Sequence, residues 1–243
     1  MSKHIVICGY CRSGGTLFYN MLRTSVVNYH FLDQEHPAEQ IINNDADSWI
    51  TKRPLDVFRI KSILEANHHN KEIVVLVMLR DIRSILTSRH SEVPGEYFIG
   101  FDHQYFIDSK KGDMGYTNPG IVAIHEAIMG LGEIKNITVQ YLHYEEMIMN
   151  TQGVQDRFQN ELSFQYKASF SDAYKPEHSS HLSAPLNSNQ PIDTSKIIAW
   201  KNSEHYERIL AQFKSCPRLL EILRIYGYEE NDEWFGAFLK GNL

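Results

Sequence analysis

Residues 4–23 read HIVICGYCRSGGTLFYNMLR, and the prediction of the fold starts from this segment. A short β-branched apolar run, typical of a buried strand, leads into a turn with three glycines, and Leu17, Met21 and Leu22 then recur at helical spacing. The turn matches the phosphate-cradling loop G-x-x-x-x-G-K-[ST], except that Gly15 stands where the lysine should be. The stretch therefore predicts a strand, an anion-binding loop and a helix, without the lysine of the nucleoside-triphosphate enzymes.

Such a loop can bind an anion without that lysine. Successive backbone N–H groups and the positive end of the helix dipole attract an anion, and glycines let the backbone approach it closely. Arg12 adds a planar cation that can donate hydrogen bonds to two oxygens of one group. A glycine-rich strand-to-helix turn without a ligand is the alternative interpretation of the loop taken alone.

Composition narrows the class of protein. A chain of 243 residues with 42% hydrophobic residues can bury a sizeable core, and we expect one domain over residues 1–243. The net charge of −6 gives no general attraction for nucleic acid or an anionic membrane. Three cysteines (Cys8, Cys11 and Cys216) provide no disulfide framework, and neither a signal peptide nor an 18-residue apolar run is visible. We expect a cytoplasmic protein.

Strands alternate with helices along the chain, which predicts a three-layer α/β/α fold around a central parallel sheet. Residues 72–79 form the most hydrophobic run and are expected at the centre of that sheet, with residues 137–142 as a third clear strand. Residues 91–118 are read as a long aromatic loop that lines or covers an acceptor pocket. A short strand or an extended passage is expected at residues 28–35, and a short strand at residues 48–51. Helices are expected at residues 37–42, 55–66, 82–90 (with Asp81 as N-cap), 119–131, 144–149, 154–162 and 202–226, the last broken near Pro217.

Ligands of parallel sheets bind beyond the carboxyl ends of the strands. This rule places four segments that are distant in sequence at one edge of the sheet. They are residues 9–16, 35–36, 80–81 and 143–144. We therefore expect these segments to share one site.

Two motifs resemble those of the sulfotransferases that use 3′-phosphoadenosine 5′-phosphosulfate (PAPS). Residues 9–17, GYCRSGGTL, look like the loop that binds the 5′-phosphosulfate of the donor. Residues 79–90, LRDIRSILTSRH, look like the second signature, in which a strand-end arginine and a serine eight residues later hold the 3′-phosphate. Here these residues are Arg80 and Ser88, and a serine about two turns into the next helix can share a phosphate with the arginine. The resemblance implies a P-loop NTPase-like sulfotransferase fold of the bacterial or tyrosylprotein type.

Two further segments are similar to the same family. Residues 141–147, YLHYEEM, resemble its third strand and the ending in which a tyrosine, here Tyr144, lies near the adenine. Residues 195–201, SKIIAWK, resemble a basic-x-x-x-Trp segment, which implies a donor contact for Lys196. The chain departs from the pattern at Gly15, where threonine is more usual, and before Ser13, where Arg12 replaces a lysine.

The resemblance implies in-line transfer of a sulfuryl group from PAPS, without a metal, to a hydroxyl or amine of a small-molecule, carbohydrate or peptide acceptor. Arg12 and the loop N–H groups would stabilise the leaving phosphate, and Glu35, or else His36, would take the acceptor's proton. No nucleic acid or membrane partner is implied. The implied donor contacts are Arg12, Ser13, Gly14, Gly15, Thr16, Leu17, Arg80, Ser88, Tyr144 and Lys196.

Other interpretations stay open. The chain could be a P-loop-type nucleotide kinase with Asp81 as a magnesium ligand, or a nucleotide-binding module without catalysis that holds a partner through residues 91–118. Glu35 could simply stabilise the start of the helix at Pro37. Tyr144 and Trp200, taken singly, fit core aromatics as well as ligand contacts.

Overall fold

The computed structural model describes residues 2–88, 98–107, 115–171 and 193–241. Its contacts divide the chain into two compact units. The first unit comprises Met1–Leu79 and Ala127–Thr194, and the second comprises Arg80–Glu126 and Ser195–Leu243. The expectation of a single domain over residues 1–243 stays a prediction.

The described residues form strands and α-helices in alternation over much of the chain. The strands are β1 (Lys3–Gly9), β2 (Trp49–Lys52), β3 (Glu72–Leu79), β4 (Phe98–Ile99), β5 (His103–Ile107), β6 (Gly115–Pro119) and β7 (Ile137–His143). The α-helices are α1 (Gly15–Ser25), α2 (Ala38–Ile41), α3 (Ile60–Ala66), α4 (Ile82–Leu86), α5 (Ile121–Gly130), α6 (Tyr144–Met149), α7 (Thr151–Leu162), α8 (Tyr206–Ser215), α9 (Arg218–Ile225) and α10 (Glu233–Leu239).

The first unit is built on a parallel four-stranded sheet flanked by helices, in the strand order β2-β1-β3-β7. Every residue of β3 after Glu72 is buried, as expected for a strand with neighbours on both sides and helices over its faces. The predicted α/β fold with a central parallel sheet is confirmed, and so is the central place of residues 72–79.

Aromatic packing fixes helix α1, and with it the end of the glycine-rich loop. The Phe18 ring lies 5.6 Å from the Phe158 ring and 5.9 Å from the Phe170 ring, centroid to centroid. All three side chains are fully buried. Edge-to-face and tilted contacts at these distances are favourable arrangements for aromatic rings. The start of α1 is therefore held on a rigid support.

The second unit contains a feature that the sequence did not predict. Strands β4, β5 and β6 form an antiparallel sheet inside the segment 91–118, which we had interpreted as a loop. Its pairings join short runs without clear alternation, so the hydrophobic period did not reveal them. Residues 91–97 and 108–114 lie outside the described residues, and the expected role of the segment as an acceptor lid stays a prediction.

Several predicted element bounds need correction. Of the two alternatives for residues 28–35, the strand is wrong: the segment contributes an isolated bridge between His30 and Trp49. The segment 55–66 begins with the 3-10 turn Pro54–Arg59, and α3 follows it. Helix α4 ends at Leu86, whereas we expected it to reach residue 90. The predicted break near Pro217 is confirmed, because it separates α8 from α9. Among the described residues, no helix combines the length and apolar character needed to span a bilayer.

Candidate active site at the glycine-rich loop

The loop between β1 and α1 is a tight turn with a left-handed backbone at Gly9 (φ 117°), Arg12 (φ 63°) and Gly14 (φ 83°). A Cβ at Gly9 would lie 2.7 Å from the Met78 carbonyl oxygen, and one at Gly14 would collide with the Tyr144 ring. Two of the glycines are thus required both by backbone angle and by close approach.

The first turn of α1 begins directly at this loop. Gly14 occupies the N-cap position and has no side chain that could accept from the first N–H groups. The Phe18 N–H donates to the Gly14 carbonyl at 3.0 Å, which closes the first helical turn. The N–H groups of Gly15, Thr16 and Leu17 precede any intrahelical partner, as at every helix start. This arrangement suits an anion, as the sequence predicted.

A lysine that the sequence analysis missed lies at the loop. Lys52 ends β2, beside Ile7 of β1, and its side chain is only 8% exposed. Its Nζ donates to the Thr16 hydroxyl at 2.9 Å and also to the Glu35 carboxylate. A Cβ at Gly15 would lie 3.3 Å from the Lys52 Cε, so the bare glycine leaves room for the lysine stem. A neighbouring strand therefore supplies an ammonium group to a loop that contains no lysine.

Glu35 does not cap the next helix. The Ala38 N–H at the start of α2 donates instead to the carboxylate of Asp56 at 2.9 Å. The Glu35 side chain, 27% exposed, forms its ion pair with Lys52. Lys52 thus brings together Thr16 and Glu35, two residues that the sequence had predicted for the site. His36 follows at a half-buried position.

The remaining predicted residues of the first unit fall in or against the loop. Ser13 is buried, and its hydroxyl donates to the Tyr10 carbonyl at 2.5 Å. Arg12 is half-buried within the turn. Tyr144 is 6% exposed and packs under the loop at Gly14, which agrees with the core-aromatic interpretation. Its expected contact with an adenine stays a prediction.

Cys8, which lies on β1 just before the loop, is 2% exposed. Burial, with a smaller contribution from the negative charge of Asp56, raises the pKa of its thiol far above the ordinary value. The thiol stays protonated, and Cys8 acts as a small core residue.

In the second unit, Arg80 and Lys196 come together. Arg80 is 9% exposed, and its Nη2 donates to the backbone carbonyl of Lys196 at 3.1 Å. The Lys196 side chain is exposed in the 3-10 turn Thr194–Ile197. Ser88 is half-buried, and it lies two residues beyond the end of α4. The expectation that this serine sits two turns into the helix was therefore wrong.

Asp81 is the N-cap of α4, as predicted. Its carboxylate accepts from the Arg83 N–H at 2.9 Å and forms an ion pair with the Arg83 guanidinium at 2.7 Å. These contacts occupy the group that the kinase alternative needs as a magnesium ligand. Within the described ranges, no three histidine, cysteine or acidic side chains cluster as a metal site.

No protein-family model matches the sequence, and neither does any curated protein. The solved structures that are similar to the chain include two sulfotransferase domains. One is described as "Sulfotransferase Domain from the Curacin Biosynthetic Pathway", with 15% identity, a TM-score of 0.49, and coverage of 88% of this chain and 97% of that chain. The other is "Sulfotransferase Domain from the Synechococcus PCC 7002 Olefin Synthase", with 13% identity, a TM-score of 0.49, and coverage of 83% of this chain and 88% of that chain.

Proposed function

We propose that this protein is a sulfotransferase that moves a sulfuryl group from PAPS to a hydroxyl or amine of a small-molecule, carbohydrate or peptide acceptor. One observation carries the proposal. The Lys52 ammonium group joins the Thr16 hydroxyl, at the start of α1, to the Glu35 carboxylate. The contacts of Lys52 support the proposal, because they bring the glycine-rich loop, a cation and a candidate base within hydrogen-bonding reach of one another.

The loop is suited to bind the sulfated end of the donor. Its glycines leave the backbone accessible, and the start of α1 favours a negative group. Arg12 and Lys52 would supply positive charge to the phosphate oxygen from which sulfur departs. Lys52 is 8% exposed, and a charge withdrawn from water interacts more strongly than one on the surface.

Glu35 would act as the general base. It takes the acceptor's proton as the acceptor oxygen or nitrogen bonds to sulfur, and the electron pair of the broken S–O bond stays on the phosphate. Before the donor binds, the Glu35 carboxylate is paired with Lys52. An anionic donor competes for the same ammonium group, and this competition frees Glu35 for the acceptor. His36, the next residue, is the second candidate for the base.

For the 3′-phosphate we keep the assignment to Arg80 and Ser88, with Lys196 as a further cation. The anchoring of Arg80 to the Lys196 carbonyl supports this assignment, because it limits the conformations open to the guanidinium. A phosphoryl-transfer enzyme of this architecture uses the loop hydroxyl to bind magnesium. Here the Thr16 hydroxyl accepts from a lysine ammonium group, which disfavours a second cation there.

A thermal-shift comparison of 3′-phosphoadenosine 5′-phosphate (PAP) with AMP and with Mg-ATP tests the donor. A ligand at 100 times its Kd stabilises by about 2.7 kcal/mol, which is a shift of about 5–10 °C for a chain of this size. We expect that shift for the wild-type protein with PAP and not with AMP or Mg-ATP. The shift caused by PAP should be smaller in the variant Lys52→Met. Equal shifts with Mg-ATP would contradict the proposal.

Transfer of labelled sulfate from PAPS to members of an acceptor panel then tests catalysis. Selective PAP binding without transfer to any hydroxyl or amine in the panel would favour a binding module without catalysis.

A further inference from the structure

The guanidinium of Arg83 lies against two tryptophan rings of the second unit, which are themselves nearly perpendicular to each other (76°). Its Cζ is 3.9 Å from the centroid of the Trp200 ring and 4.5 Å from that of the Trp234 ring. The Arg83 side chain is only 4% exposed. We call this group of three side chains the Arg83 clamp.

The clamp is also tied to acidic groups. Arg83 donates from Nε to both carboxylate oxygens of Asp81, at 3.0 and 3.1 Å, and from Nη2 at 2.7 Å. Its Nη1 donates to Glu229. A buried guanidinium with such partners and two aromatic rings against it has little freedom to move. The Asp81 side chain, which adjoins Arg80 in the chain, is therefore held in one position.

The two tryptophans come from separate parts of the second unit. Trp200 belongs to the 3-10 turn Ala199–Lys201, and Trp234 lies in the first turn of α10. The Trp234 ring packs against the rings of Phe213 (5.2 Å) and Phe238 (5.9 Å). The clamp thus links the chain after β3 to residues 199–201 and to the C-terminal helix.

Two hydrogen bonds join the same segments beside the clamp. Arg80 Nη2 donates to the Lys196 carbonyl at 3.1 Å, and the Ser84 hydroxyl donates to the Ile197 carbonyl at 3.2 Å. The backbone of residues 196 and 197 therefore orients Arg80. Trp200, three residues beyond Ile197, holds that backbone against Arg83.

From these contacts we infer that Arg83, held against Trp200 and Trp234, is a positioning residue that sets the protein's preference for adenylates carrying a 3′-phosphate. The inference rests on the proposed function, which assigns that phosphate to Arg80, Ser88 and Lys196. Arg83 itself does not touch the phosphate. It fixes Asp81 and residues 196–200, and these fix the direction of the Arg80 guanidinium.

The test compares the affinities for PAP and AMP by calorimetry, because the two ligands differ only in the 3′-phosphate. Trp234→Leu removes one ring of the clamp and leaves the ion pairs of Arg83 in place. We expect the ratio of PAP affinity to AMP affinity to fall about tenfold, which corresponds to weakening one charged hydrogen bond. Trp234→Phe keeps an aromatic face, and we expect it to lower the ratio less, by about threefold.

Phe235→Leu is the matched control. Phe235 is the next residue of α10 and belongs to the same aromatic cluster, with its ring 5.7 Å from that of Phe213. A merely structural role for the cluster predicts that Phe235→Leu and Trp234→Leu lower stability without changing the affinity ratio. We expect Phe235→Leu to keep the wild-type ratio.

An unchanged ratio in folded Trp234→Leu overturns the positioning role. If circular dichroism shows that Trp234→Leu does not fold, Trp234→Phe and Trp200→Phe carry the test, with an expected fall of about threefold. An unchanged ratio in both then overturns the inference. A wild-type protein that binds AMP as tightly as PAP overturns the proposed donor itself, which is a distinguishable result.

Discussion

At the scale of single residues, Lys52 is a residue of the candidate site that was not predicted from the sequence. The loop motif drew attention to the absent lysine at Gly15, and the bare glycine is what admits the Lys52 stem. The signal was present, because Lys52 directly follows the short strand predicted at residues 48–51. The rule that ligands bind beyond strand ends, applied to that strand, would have pointed to it. The ion pair of Lys52 with Glu35 could not be predicted, since it depends on the path of the irregular segment 33–37 past the end of β2.

The assignment of Glu35 as base can be tested by Glu35→Gln, which keeps the size of the side chain and removes its basicity. We expect turnover to fall by about 10² to 10⁴, or about 3–5 kcal/mol of barrier, while PAP binding is retained. The measurement is the initial rate with labelled PAPS and the best acceptor of the panel.

Glu39→Gln is a control for that experiment, because Glu39 forms an ion pair with Arg59 on the following 3-10 turn. Near-normal turnover of Glu35→Gln would refute the role of Glu35. A large loss in His36→Gln alone would transfer that role to His36.

At the scale of elements, the sequence predicted those that carry their own signal. Strand β3 is a continuous apolar run, α4 begins at the N-cap Asp81, and Pro217 separates α8 from α9. Strands β4, β5 and β6 lack such a signal because their partners, and not their own periodicity, define them. Element type followed from the chemistry of each segment, whereas the pairing of β4, β5 and β6 depended on contacts between segments.

Helix α2 tests how a contact with another segment of the chain supports an element beside the site. Asp56 is fully buried, accepts from the Ala38 N–H at 2.9 Å and lies 3.5 Å from Arg53. Asp56→Ala should lower the free energy of unfolding by about 1–3 kcal/mol, because it leaves a buried N–H without an acceptor. Chemical denaturation measures the difference.

Asp56→Asn should be milder than Asp56→Ala, since the amide oxygen can still accept. Burial, opposed by the Ala38 hydrogen bond and the nearby arginines, raises the pKa of the Asp56 carboxyl, so its charge is not what stabilises the fold. Asp33→Asn, at a carboxylate that is 65% exposed, serves as the control and should change stability by less than about 0.5 kcal/mol. Equal losses for Asp56→Asn and Asp56→Ala would contradict this account.

At the scale of the whole molecule, the order of the motifs in the sequence predicts one domain, whereas the contacts divide the chain into two compact units. The motifs follow one another along one predicted α/β chain, whereas the contacts separate Met1–Leu79 from Arg80–Glu126. Thr16, Glu35 and Lys52 therefore belong to the first unit, and Arg80, Ser88 and Lys196 to the second. Hydrophobic periodicity could not reveal this division, because it reports which residues are buried and not which elements they are buried against.

The free energy of unfolding of the whole molecule is expected to depend on pH, and the buried histidine His4 makes this dependence testable. His4 lies in β1 with no exposed surface, and its Nε2 is hydrogen-bonded to the Thr51 hydroxyl at 2.9 Å. Burial, together with the nearby charge of Lys71, lowers the pKa of His4 from 6.5 to about 3. Between these values the unfolded chain binds one proton more than the folded one. Stability is therefore expected to fall as the pH drops below about 6.5, by up to about 1.4 kcal/mol per pH unit from this group.

Replacing the histidine isolates that contribution. His4→Gln keeps a polar group near Thr51 and cannot take up the proton, so the slope of unfolding free energy against pH should decrease between pH 6 and pH 4 by up to about 1.4 kcal/mol per pH unit. Denaturant titrations at several pH values measure the slope. His69→Gln removes an exposed histidine and should leave the slope as in the wild type. If His4→Gln instead retains the full wild-type slope, the acid sensitivity arises from other groups, and the neutral buried state of His4 is refuted.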